Sequence, residues 1–465
     1  PAPLTHLGAM PPPRSAADAA RVAAVTAPTT DFTAPEPFEA RPAGAGTAMD
    51  GSYAALLTPL SATQRMDATL GEALFEKLWV PAPTATRASD GLGPLFNARS
   101  CAGCHPGDGR GAPFDGSARI TGMVLKLGRP APGAPTAPDP HLGRQLQDRA
   151  MPGVPPEGQI AQHWSEEVVT LSGGETVTLR RPLPRVTPPL APQTATSLRL
   201  AQPLGGVGLL EAIPAADILA LADPEDADGD GISGRAARAT SGGAPRLGRF
   251  GWKAEAASLA EMAAAAFATD LGLSTPVVPH PAGDCTALQP ECLAAPTGED
   301  AGLRDGREVS GEALGLVAAY LAALGQPARQ ALDDAQLLAG KQAFHDAGCT
   351  ACHRPKFVTG RDPADPARSF QLIWPYSDLL LHDMGPDLAD ALPGTDAAPA
   401  EWRTAPLWGL TRSAAPGQPL TFLHDGRAQT LLEAVLWHGG EAQPARDRVA
   451  ATDPATRAAL IRFLE

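Results

Sequence analysis

The chain has 465 residues, 43% hydrophobic and 5% aromatic, with 51 acidic against 37 basic residues and a formal net charge of -14. This length predicts two or three domains with substantial cores, and the acidic balance excludes a nucleic-acid surface, which needs a basic field. No apolar run approaches the roughly 18–20 residues of a membrane span, so no integral membrane segment is expected.

Residues 1–54 are rich in Ala, Pro and Thr and predict an extended arm with little regular structure. A start at Pro1 without a signal-peptide pattern fits a processed or trimmed terminus. The stretch SATQRMDATLGEALFEKLW follows, with Met66, Leu70, Leu74 and Leu78 at helical spacing. It leads into CAGCH, which carries Cys101, Cys104 and His105. From about 130 to 200 the character changes to an insertion. Within it, EEVVTLSGGETVTLRR predicts a β-hairpin turning on Ser-Gly-Gly.

IPAADILALAD predicts a short helix, and DADGDG then places Asp226, Asp228 and Asp230 at alternating positions before Gly231. That spacing is like the front half of an EF-hand loop. Ala237 stands at the twelfth position, where a bidentate Glu belongs. Calcium held with help from elsewhere is expected, with a solvated acidic turn as the alternative. SLAEMAAAAFATDLG predicts a helix ending near Gly272. Cys285 and Cys292 close a small loop in CTALQPEC, and a disulfide there would suit an oxidising compartment. A helix from about Gly311 to Leu324 is expected to stop at Gly325. Another, near Asp333 to Asp346, runs into CTACH with Cys349, Cys352 and His353. After a loop-rich stretch, HDGRAQTLLEAVLWHGG and ATRAALIRFLE close the chain.

C-x-x-C-H is the attachment signature of c-type haem. Two thiols on one turn can each form a thioether to a vinyl group, and the adjacent histidine lies under the iron as the proximal ligand. Thioredoxin-like chemistry needs only C-x-x-C, in a strand-to-helix setting that neither motif has. An iron–sulfur cluster needs four ligands near in space and leaves the histidines unexplained. Zinc shared between the motifs remains the alternative. Two covalently bound haem c groups are expected, with His105 and His353 as proximal ligands.

DGLGPLFNARSCAGCH, GLLEAIP, DADGDGISGR, LGRFGWKA, YSDLLLHDMGP, EWRTAPLWGL and FLHDGRAQTLLEAVLWHGGEA resemble the dihaem thiol oxidoreductase-like family. That family is related to bacterial dihaem cytochrome c peroxidases and to the tryptophan-modifying enzyme of methylamine dehydrogenase maturation. The resemblance covers most of the chain from about Met66. It implies that electrons enter through the C-terminal haem and that the N-terminal haem meets peroxide. Trp252 matches the tryptophan between the haems. Asp270 matches an acidic residue that moves a proton between the peroxide oxygens. His438 matches the distal ligand of the electron-transfer haem, a methionine in typical peroxidases and a tyrosine in the maturation enzyme. Met384, beside His382, is a competing ligand, and His424 is expected at propionates or the domain interface. Arg249, Arg403 and Arg427, with Arg235 and Lys253, are expected to pair with propionates. The region before Trp252 has no histidine, so only His141 or His163 from the insertion can cover the first iron, which is expected to be accessible. Related peroxidases also keep calcium between their haem domains.

The expected fold is therefore mainly α. After the arm 1–54 come two cytochrome c-like haem domains, 55–300 with the insertion at about 130–200 and 301–465, with loop-rich insertions and a small β-hairpin. The expected function is a periplasmic dihaem peroxidase that reduces hydrogen peroxide with electrons from a small periplasmic electron-donor protein. The alternatives are a dihaem oxidase that modifies a protein substrate, and a non-enzymatic electron carrier or redox sensor.

Overall fold

Fifty prolines and 48 glycines interrupt the chain often. Proline lacks the amide hydrogen that a helix or ladder needs, and glycine loses the most backbone entropy on ordering. The structure, a computed structural model, describes residues 14–113, 122–131, 134–239, 245–392, 394 and 396–465. Among these, 29% are helical and 18% are in strands. The fold is thus not mainly α, and the expectation is corrected. The helices are short, four to fifteen residues. Much of the chain between them closes into one three-stranded and six two-stranded ladders among the described residues.

The helices in order are α1 (Ala16–Val25), α2 (Ala62–Glu76), α3 (Val207–Glu211), α4 (Ala215–Leu219), α5 (Leu259–Asp270) and α6 (Pro290–Leu293). They continue with α7 (Gly311–Ala323), α8 (Ala335–Asp346), α9 (Gly385–Leu388), α10 (Leu431–Leu436), α11 (Gln443–Ala451) and α12 (Pro454–Leu464). Side-chain caps set several starts. Ser61 and Gln64 form a reciprocal capping box on α2, while Ser258, Ser310 and Asp334 cap α5, α7 and α8. At the far end of α5, Gly272 takes a positive φ of 69°, the left-handed turn that ends a helix.

The buried face of α2 takes only Leu74 from the expected stripe, packed against the core. Met66, Leu70 and Leu78 are 59%, 49% and 62% exposed, and the inward residues are Ala68, Gly71 and Phe75. Gly71 lies so close to α7 that an added Cβ would meet Leu316 O and come within 2.7 Å of Tyr320 Cβ. The largest core joins α2, α3, α5 and α7 through Phe75, Leu209, Leu210, Phe267, Val317 and Tyr320. A second cluster joins α8 and α12 through Phe344, Tyr376, Leu460 and Phe463.

The N-terminal stretch contains α1 and is tied down rather than loose. Arg361 pairs with Asp18, and Lys341 reaches Glu36 at 2.9 Å and Glu39 at 2.8 Å. Residues 1–13 lie outside the described residues. The predicted hairpin is present as Gln159–Thr170 paired with Thr176–Thr187. Its tip reaches the C-terminal helices: Ser172 N donates to Ala450 O at 3.1 Å, and Arg457 pairs with Glu175 at 2.9 Å. Cys285 and Cys292 lie at disulfide-bonding distance, with Cα atoms 5.9 Å apart.

Candidate functional site

The first C-x-x-C-H motif is seated on the end of α2. Phe75 O accepts from Cys101 N at 3.1 Å, and Cys101 O accepts from both Cys104 N and His105 N at 3.0 Å, which folds the motif into one turn. Tyr320 on α7 donates to Asp108 Oδ1 at 2.7 Å, fastening the segment after the histidine to the same helix pair. His105 Nδ1–H donates to Gln202 O at 2.8 Å, which leaves Nε2 with its lone pair for a metal. Burial lowers the His105 pKa and keeps the ring neutral. Cys101 and Cys104 are unpaired thiols whose pKa burial pushes up to about 12. That is the opposite of the lowered value of a redox-active C-x-x-C.

These three residues line a cavity of about 760 Å³ that also takes in Trp252, Asp270, Arg110, Arg249 and Arg403. It lies within the size range of small-molecule and cofactor sites. Asp270 is the last residue of α5. Its carbonyl accepts from Asn97 N and Ala98 N at 2.8 and 3.1 Å, holding the helix end against the segment before Cys101. Its Oδ1 accepts from Gln145 Nε2 at 2.7 Å, and Oδ2 has no protein partner among the described residues. Glu261, the other α5 carboxylate lining the cavity, pairs with Arg246 and accepts from Ala257 N. Of the two α5 carboxylates, Asp270 is therefore the one with an uncommitted oxygen, while the exposed Glu255 lines the cavity from the loop before α5.

Three of the arginines lining the cavity are the strongest electrostatic signal. Arg110, Arg249 and Arg403 are 5%, 5% and 6% exposed, yet none forms an ion pair with a carboxylate among the described residues. Their partners are carbonyl oxygens: Leu423 O for Arg110 at 3.2 Å, Leu210 O for Arg249 at 2.9 Å, and Gly251 O and Thr404 O for Arg403, both at 3.0 Å. Arg110 Nε has no partner among the described residues. Burial pushes all three guanidinium pKa values down to about 10. Buried charges without counter-ions are strongly unfavourable, so this cavity is built for an anionic group.

At the second motif, α8 ends at Asp346, and Gly348, with φ of 84°, turns the chain into Cys349. Cys349 O accepts from His353 N at 2.9 Å. Burial raises the pKa of the Cys349 thiol to about 12 and raises that of Cys352. His353 Nδ1–H donates to Tyr376 O at 2.9 Å, and His438 Nδ1–H donates to Ala434 O at 2.8 Å. Both Nε2 atoms are thus left as acceptors. The two ring centroids lie 6.4 Å apart with planes inclined at 47°. Two imidazoles sharing one metal at about 2.0–2.1 Å per bond have centroids roughly 6 Å apart. Burial lowers the His353 pKa to about 4 and lowers that of His438, so both are neutral donors.

The other candidates fall elsewhere. His382 donates to Asp378 at 2.8 Å and to Glu441 at 2.7 Å. Burial opposes its charge, but these bonds and one with Cys352 outweigh it and raise its pKa to about 12. With both ring nitrogens engaged it is a brace beside Cys352. Met384 packs in the apolar cluster with Leu388 and Trp437. Arg427 pairs with Asp425 at 2.7 Å and lies over Trp437, away from the cavity. Arg235 pairs with Glu401 and Asp396. Lys253 donates to Ala398 O, Pro399 O and Glu401 O at 2.8–2.9 Å, and burial lowers its pKa to about 8. His141 and His163 are exposed, and among the described residues His105 is the one histidine lining the cavity. In the acidic loop, carboxylate oxygens of Asp223, Asp226 and Asp228 lie within 4.8 Å of one another. Asp230 instead accepts from Ile232 N.

Two residues escaped the sequence reading. Arg110 stands five positions after His105 in CAGCHPGDGRG, and that proximity was its available signal. Asp223 lies just before the alternating aspartates, outside their pattern. A sequence model of the family described as "Di-haem oxidoreductase, putative peroxidase" matches residues 45–126 and 141–465. No curated protein and no solved structure matches the chain.

Proposed function

The chain belongs to the di-haem oxidoreductase family, and from that premise we propose that it is a c-type dihaem peroxidase working at the first motif. The residues fit the groups. Each motif offers two thiols and a neutral imidazole with an available Nε2, and the first cavity adds three buried guanidiniums suited to propionates. Cys101, Cys104 and His105 would hold one haem, and Cys349, Cys352 and His353 the other, with His438 available as a further nitrogen donor to it. When bound, the haems supply one-electron redox chemistry at two iron centres.

The observation that carries the reading is the asymmetry between the motifs. His353 has a second imidazole at 6.4 Å. His105 opens onto a cavity with no other histidine lining it among the described residues, and with Asp270 on its wall. Asp270 Oδ2 is the atom assigned to take a proton from one peroxide oxygen and return it to the other. Gln145 holds the carboxylate in place through Oδ1. Arg110, Arg249 and Arg403 bind and orient the anionic edge of the cofactor, and the apolar walls exclude water. Trp252, which lines the first cavity with its indole N–H donating to Leu200 O at 2.7 Å, is the relay residue.

The finer features of this reading are a small donor protein delivering electrons to the second motif, a periplasmic location, a Cys285–Cys292 disulfide, and one motif in each of two domains. Calcium in the acidic loop belongs here too, supported by the grouping of Asp223, Asp226 and Asp228. The carrier alternative requires two protein ligands at both irons, and among the described residues His105 is the one histidine lining the first cavity. The test is a spin-resonance spectrum of the oxidised protein, taken before and after one-electron reduction and then with peroxide. One high-spin signal that responds to peroxide beside one low-spin signal is expected. Two low-spin signals inert to peroxide would overturn the reading.

A further inference from the structure

Behind the cavity stands an aromatic column of unassigned purpose. The His424 ring stacks on Trp402 with centroids 3.7 Å apart and planes 15° from parallel, and meets Trp252 edge-on at 6.4 Å. Trp252 and Trp402 are 9% and 6% exposed, and His424 is 5%. Trp402 lies in the ladder Glu401–Arg403, opposite His382, which contacts Cys352 of the second motif. The column therefore runs from Trp252 on the cavity wall to the strand pair whose other member, His382, braces the second motif.

Its two ends differ in how closely positive charge approaches the ring. Trp252 has one guanidinium near its face, Arg110, at 5.7 Å. Trp402 is flanked by Lys253 Nζ at 4.1 Å and Arg199 at 4.5 Å. Asp390, 3.1 Å from Arg199 and 4.0 Å from Lys253, offsets one of those two charges. A cation over an aromatic face stabilises the neutral ring and opposes removal of an electron from it. At an effective dielectric near 20, the one uncompensated charge about 4 Å from Trp402 shifts its one-electron equilibrium about a thousandfold, while Arg110 at 5.7 Å shifts that of Trp252 about a hundredfold, so Trp402 is the harder ring to oxidise by roughly tenfold.

We propose that Lys253, with Arg199, is a positioning residue that confines one-electron oxidation to Trp252 by making Trp402 hard to oxidise. This rests on the peroxidase reading above. Hydrogen peroxide takes up two electrons and two protons and becomes two waters. One electron leaves the Trp252 indole, the other comes from the redox groups held at the motifs, and solvent supplies the protons. Trp252 keeps its N–H proton, because its partner is the carbonyl of Leu200 and not a base. The oxidised indole is therefore a radical cation, which the Lys253 end of the column repels.

The experiment uses the full chain with both haems and ring-deuterated tryptophan, frozen after mixing with hydrogen peroxide and read by spin resonance. One dominant tryptophan radical is expected, its Trp252 signal lost in W252F and little changed in W402F. K253M is expected to raise the Trp402 share from about a tenth to the larger part of the signal, and K253M/W402F to remove that added signal. Should K253M not fold, R199Q is the second variant, with the same direction expected. A native radical lost in W402F, or a K253M spectrum identical to the native one, would overturn the confinement alone, since peroxide has still been reduced. No organic radical in any variant, with peroxide left unconsumed, would overturn the peroxidase reading along with it.

Discussion

Replacing Lys253 with methionine removes a side chain that is 0% exposed and whose pKa burial lowers to about 8. In the unfolded chain the same amine titrates near 10.4. Between those values the unfolded state holds a proton that the folded state has shed, so folding becomes more favourable as pH rises through that window. The slope approaches 1.36 kcal/mol per pH unit for one proton, and from pH 8 to pH 10 the contribution is about 2–3 kcal/mol. Below pH 8 both states are protonated and the term is flat. The assay is guanidinium unfolding of the native protein and K253M at pH 7, 8, 9 and 10, read as the difference in stability at each pH. Taking the difference removes groups common to both chains, including any motif thiols left without a thioether. The native protein is expected to gain about 2 kcal/mol on K253M between pH 8 and 10. Curves that stay parallel across the four pH values would refute a charged, buried Lys253.

His438→Met is expected to alter the low-spin component of the oxidised spectrum and raise the potential of that centre, leaving the high-spin component in place. A spectrum unchanged in both would remove His438 as a ligand. Asp270→Asn is expected to lower kcat/KM for peroxide by about 10²–10⁴ with haem content retained, and turnover at the native rate would end its role as proton carrier. Gly71→Ala puts a methyl against Leu316 O and Tyr320 and is expected to destabilise by about 1–3 kcal/mol, seen as a drop of a few degrees in Tm. An unchanged Tm would mean that α2 and α7 are less closely packed than described.

What was legible in the sequence followed from local rules. Ser61, Ser258, Ser310 and Asp334 mark helix starts by capping, and Gly173–Gly174 supply the positive φ of the hairpin turn. The inner face of α2 was legible only at Leu74, because hydrophobic spacing selects large residues whereas the helix contact relies on Gly71 and Ala68. The strand content was hidden for a related reason. Most ladders hold strands of two or three residues, too short to show alternation. At the site, cysteines and histidines announce themselves by spacing, but an arginine shows its purpose only through burial and missing counter-charge. Arg110 has both features and was overlooked, whereas Arg427 was chosen and is neutralised by Asp425. His382 illustrates the same limit, since its two carboxylate partners are 4 and 59 residues away along the chain.

The long hairpin emerges between the two motifs, yet its tip grips Ala450 and Arg457. Meanwhile α7, from beyond residue 301, completes the packing of α2. Dividing the gene between the motifs would therefore not yield two independent cytochromes, because each fragment would expose a surface that the other normally seals. A protease nick at Gly173–Gly174 should leave the pieces associated until denaturant is added, so co-elution after limited digestion would report this interlocking directly.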